Sequence, residues 1–100
     1  MCDASFSGLP NQCFIFVQVL LGVISPNFRM VYMSKSEEKF FINIILEEYS
    51  LEDLEEIEDL GAEYESHQQT EIEYEIKTMI NSDNLSWPDN TNIVIYKRRE

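Results

Sequence analysis

The sequence predicts one α+β domain with elements in the order α-β-β-α-β-β, an antiparallel four-stranded sheet and two helices packed on one face. Three observations lead there. Residues 39–49 and 70–80 alternate as strands do, whereas residues 50–66 carry helical spacing and 10–24 hold an apolar run opened by a proline. The 100 residues are 44% hydrophobic, enough to bury about 65% of the unfolded surface in a single core. No internal repeat or linker divides the chain, so residues 1–100 form one unit, with 1–9 expected to be loosely ordered.

The first helix is expected from Pro10 to Ile24, since proline fits a first helical turn. It is apolar nearly all round, so little of it should face water. Gly22 weakens its end, and Pro26 holds Ser25 away from helical angles. FRMVYMS (residues 28–34) is rich in strand formers, and a short polar spacer suits a hairpin into KFFINIILEEY (39–49). There Phe40, Ile42, Ile44 and Leu46 share one face. Ser50 then opens a helix with a capping pattern, its hydroxyl accepting a first-turn amide. Leu54, Ile57, Gly61 and Tyr64 form the apolar stripe of this helix. In TEIEYEIKTMI (70–80), Ile72, Tyr74 and Ile76 point one way and Glu71, Glu73 and Glu75 the other. The turn-rich NSDNLSWPDNTN (81–92) leads to a last strand at 92–99.

Charge is the chain's most unusual property. The net charge is −12, and between Glu37 and Glu75 fifteen acids face a single base, Lys39. Such a segment repels nucleic acid and anionic membrane, and attracts a cationic protein. The apolar run at residues 13–24 is too short to span a bilayer, and no basic segment precedes it as a signal peptide requires. Two cysteines, Cys2 and Cys13, make no disulfide framework, which suits a reduced, cytoplasmic setting.

Catalytic chemistry finds little footing. His67, the one histidine, falls in a polar turn and has no cysteine at zinc-ligand spacing. Three glycines, at 8, 22 and 61, build no phosphate loop. The carboxylates fall on solvent faces, where nothing raises one of a pair into a general acid. The sequence therefore predicts no enzyme, no metal and no cofactor.

On the acidic helix, Glu52, Glu55, Glu56, Asp59 and Glu63 cluster opposite the apolar stripe. Glu52/Glu56, Glu55/Asp59 and Asp59/Glu63 are like-charge pairs four residues apart, each costing about 0.2–0.5 kcal/mol. Solubility needs no such strain, which points to a cationic partner. These five acids are the expected contacts, with Glu71, Glu73, Glu75 and Trp87 in support. Trp87 either anchors a partner or caps the core, core capping being preferred. Tyr64 and Tyr74 should face the core with hydroxyls reaching water.

GVISPNFRMV (22–31), the hairpin after it and LEEYSLEDLEEIEDLGAEYES (46–66) together resemble small bacterial immunity proteins. These are the contact-dependent growth-inhibition type and its relatives in toxin–immunity systems. The likeness spans about residues 12–98. It implies a protein that binds and blocks a cognate toxin domain, often a nuclease, by occupation, with no catalytic residues of its own. It also implies a structural role for residues 25–29, with Arg29 placed to pair with the acidic helix. A nuclease that handles phosphates has a basic cleft, which an acidic surface complements. The expected state is a monomer or weak homodimer. Two other readings remain: an acidic nucleic-acid mimic that inhibits a DNA-binding protein, and a non-catalytic self-associating structural subunit.

Overall fold

The computed structural model describes residues 8–37, 39–68, 72–88 and 91–99. Its elements are α1 (Leu9–Leu20), β1 (Phe28–Ser36), β2 (Lys39–Leu46), α2 (Leu51–Ser66), β3 (Glu73–Ile80) and β4 (Asn92–Lys97). The α+β class and the element order are those the sequence predicts. Of the segment expected to be loose, residues 1–7 lie outside the described residues and Leu9 opens α1.

The four strands lie in the order β3-β2-β1-β4. β1 runs antiparallel to β2 and to β4, but β2 and β3 are parallel. The sheet is thus mixed, mostly antiparallel, where a wholly antiparallel one was expected. Lengths explain it. At 1.5 Å per residue the 16 residues of α2 cover about 24 Å. The eight residues of β2 cover about 26 Å. The helix therefore returns the chain to the level where β2 began, and β3 must repeat its direction.

One core lies between the sheet and both helices. Val31, Met33, Phe40, Ile42, Ile44 and Leu46 meet Phe16, Val19 and Leu20 of α1 and Ile57, Leu60 and Tyr64 of α2. Tyr64 is fully buried, edge-on to Phe16 at 5.1 Å and to Tyr74 at 5.2 Å between ring centroids. Each such pair adds about 0.5–1.5 kcal/mol to simple burial. Its hydroxyl does not reach water: it donates to Gln12 Oε1 at 2.6 Å, and Gln12 Nε2 donates to Gln68 at 3.0 Å. A hydroxyl buried this deeply needs such a partner.

Two expectations for α1 need correction. It ends at Leu20, and the Val23 and Ile24 amides fold back onto the Leu20 carbonyl. Gly22 and the Ser25-Pro26 step together prevent further helix. Its outer side is also less covered than expected, because the sheet takes only one flank and leaves Phe14 63% and Leu21 72% exposed.

The turn after α1 ties three elements together. Ser25 Oγ donates to Asp53 Oδ1 (3.0 Å) and Asn27 Nδ2 to Asp53 Oδ2 (2.9 Å). Asn27 also exchanges hydrogen bonds with the backbone of Glu48. Ser25 and Asn27 therefore grip the acidic helix, the role that was expected of Arg29. The β1–β2 register shifts between Phe28 and Met30, so Arg29 is the extra residue of a bulge. Its buried guanidinium donates to the carbonyls of Asn81 and Asp83, both at 2.6 Å. This fixes the start of the connection that carries the chain from one sheet edge to the other.

Candidate functional site

The acidic helix starts where its sequence says it should. Ser50 is extended, and its hydroxyl accepts the Asp53 amide at 3.2 Å. Leu54, Ile57, Leu60, Gly61 and Tyr64 turn inward, Leu54 being half-buried. That leaves Glu52, Glu55, Glu56, Asp59 and Glu63 exposed along the outer face. None of the five forms an ion pair with a cation among the described residues. Asp53 is the exception on this helix: it is only 8% exposed and serves the Ser25–Asn27 turn.

The strand acids belong to a different surface. Tyr74 and Ile76 pack against the core under α2, so Glu73 and Glu75 project from the opposite side of the sheet. Glu75 pairs with Lys39 at 3.2 Å, and Lys39 and Lys77 both sit over the Phe41 ring. Charge there is balanced locally, because the parallel register brings Lys39 beside Glu73 and Lys77 shares the same face. Glu71 lies outside the described residues. The predicted acids thus divide: five helix carboxylates come together, and Glu73 and Glu75 do not join them.

Trp87 is 65% exposed, so it does not cap the core. Two exposed apolar residues escaped the sequence reading. Tyr49 (67%) and Leu51 (59%) stand at the foot of the acidic face. Tyr49 flanks an open groove of about 670 Å³ with Asn27, Glu48, Glu52 and Arg98. A strand running to Tyr49, as the pattern of 39–49 predicts, carries no signal of exposure there; β2 stops at Leu46. Arg98 closes one wall, held by Glu47 at 2.7 Å and by the Pro26 carbonyl at 2.7 Å.

The site offers charge and contact area. His67 ends α2 with Nδ1 2.8 Å from the Glu63 carbonyl, and it is exposed. Burial pushes the Cys13 thiol up to about 11, so it is no ready nucleophile. An arrangement of this kind suits recognition of another macromolecule. The MafI2 immunity protein family model matches residues 12–100. The chain belongs to that family. It is an immunity protein of the bacterial polymorphic toxin class, and membership implies binding to a cognate toxin. The match names MafI2 and makes no statement about contact-dependent inhibition. No curated protein matches the chain in sequence. Among the described residues of this MafI2-family protein, no helix is long and apolar enough to cross a membrane.

Proposed function

We propose that this MafI2-family protein neutralises a basic toxin domain, of the nuclease class, by docking the outer face of α2 against it in the cytoplasm. The observation that carries this reading is the contrast in charge balance. Glu52, Glu55, Glu56, Asp59 and Glu63 are exposed without a cation partner among the described residues, while Glu75 is paired to Lys39. A folded chain gains nothing in stability from like charges at helical spacing. A cationic cleft gains on both counts, through faster encounter and complementary potential. Tyr49, exposed at the foot of that face, supplies an aromatic anchor of the kind that dominates interface energetics. Inhibition follows from occupation: a nuclease cleft filled by carboxylates cannot admit phosphates.

The test uses the cognate toxin domain. Calorimetry should show a complex whose affinity falls at least tenfold between 50 and 300 mM salt, as screening of exposed charges requires. Glu56→Lys/Glu63→Lys should weaken it about 100-fold and abolish protection of cells expressing the toxin. Affinity indifferent to both salt and reversal would refute the acidic face as the docking surface.

A further inference from the structure

The two edges of the sheet differ in how they are guarded. β4 has six residues, a register shift between Val31 and Tyr32 of its partner that leaves Ile95 unpaired, and Lys97, Arg98 and Arg99 at its end. Short length, bulges and terminal cations are the usual protections of an edge. β3 is longer and regular, and its one lysine, Lys77, lies over the Phe41 ring on the face away from α2. Its eight residues pair with β2 in unbroken register from Glu73 to Ile80, without proline. The Asn81 amide donates to the Leu46 carbonyl at 2.9 Å. In a parallel pair, bonding to one neighbour uses every second residue. Residues 73, 75, 77 and 79 therefore serve β2, and the backbone groups of Tyr74, Ile76 and Thr78 point away from the sheet.

The side chains of those same three residues turn toward α2. With Leu54, Ile57, Gly61 and Glu58 they line an open groove of about 400 Å³ between the helix and the strand edge. Its floor is apolar and its rim acidic. Glu58 is exposed, and Glu65, seven residues on and so on the same flank, accepts the Tyr74 hydroxyl at 3.0 Å. The Tyr74 hydroxyl also reaches the Gly61 carbonyl at 3.1 Å, which ties strand to helix.

On the basis of the function proposed above, we infer that the β3 edge takes up an extended segment of the cationic toxin as a fifth strand, with arginine or lysine at alternate positions directed under α2. Main-chain hydrogen bonds to Tyr74, Ile76 and Thr78 supply register, as in other strand additions. The long aliphatic stems of the basic residues cover Leu54, Ile57 and Ile76, and their charged heads reach Glu58 and Glu65 at the rim. A second copy of this chain fits the edge poorly. It would bring two acidic helices side by side in a protein of net charge −12.

Thr78→Pro removes an outward amide at an edge position, where proline is tolerated. The expected result is a folded protein, by circular dichroism and thermal melting, that binds the toxin domain at least 30-fold more weakly. Hydrogen exchange on the unmodified complex gives a reading that does not depend on the variant. The amides of Tyr74, Ile76 and Thr78 should slow at least tenfold when toxin is added. A complex that leaves these amides unchanged overturns the strand addition while the acidic-face reading stands. A folded Thr78→Pro that binds like the parent does the same. Absence of any complex overturns both. A dimer in sedimentation that Thr78→Pro abolishes would assign the edge to self-association and overturn the inference as well.

Discussion

The inner and outer faces of α2 use the same kind of residue for opposite ends. Asp53 and Asp59 are less than two turns apart. Asp53 is buried and holds Ser25 and Asn27, so its charge is consumed inside the fold. Asp59 is exposed, sits four residues from both Glu55 and Glu63, and weakens its own helix slightly. A carboxylate count cannot separate these roles; the partners of each oxygen do. The largest test of the contrast is on the inside. Asp53→Ala takes the acceptor from the Ser25 hydroxyl and one of two from the Asn27 amide, which keeps the Glu48 carbonyl, and so unties the 25–29 turn from the helix. The expected cost is about 3 kcal/mol, a fall in Tm on the order of 15 °C for a domain this size. A loss under 1 kcal/mol in urea unfolding would mean that the bonds between Asn27 and the Glu48 backbone hold the turn without Asp53.

Tyr64→Phe probes the same inner face with less disruption. The ring stays between Phe16 and Tyr74, but Gln12 Oε1 loses the 2.6 Å donor that Tyr64 gives it. The expected loss is about 1–2 kcal/mol, read by denaturant titration. Retained stability would place water at Gln12 in the variant.

How dry the inner layer is can be read by titration. Burial raises the Cys13 thiol from 9.0 to about 11, so the folded state holds its proton more tightly than the unfolded state. The stability tied to the neutral thiol is complete below pH 9 and is lost as pH rises from about 9 to about 11. Burial also raises the Tyr64 hydroxyl, which extends the fall to higher pH. Melting temperature should decline across this window, and less steeply in Cys13→Ala. Equal slopes for the two proteins would assign the decline to other groups.

What could be read in advance divides along similar lines. Strand alternation placed Phe40, Ile42, Ile44 and Leu46 on the core face, and the helical period placed Ile57, Gly61 and Tyr64 inward, because those periods follow from local geometry. The acidic outer face was legible for the same reason. The parallel pairing of β3 was not, since it depends on how far α2 carries the chain back along the sheet. Nor was the work of residues 25–29. The family resemblance implies a charge partner for Arg29 on the helix, whereas a bulge turns it toward two carbonyls and leaves Asp53 to two neutral side chains. Glu73 and Glu75 were grouped with the helix acids by sign alone. Only the register shows that Lys39 stands beside them, on the other side of the sheet.

The smallest expected effect has the opposite sign, and it sharpens the contrast most. Glu56→Lys/Glu63→Lys converts Glu52/Glu56 and Asp59/Glu63 from repulsive to attractive pairs, each with the acid on the N-terminal side, the better orientation. A cation at position 63 also suits the C-terminal half of the helix dipole. Stability should rise by about 1 kcal/mol at low salt, a gain of about 5 °C in Tm, while toxin binding falls. A surface shaped for folding would not become more stable when its charges are reversed. If this variant instead melts below the parent, the outer acids hold the fold as Asp53 does, and the division between the two faces of α2 disappears.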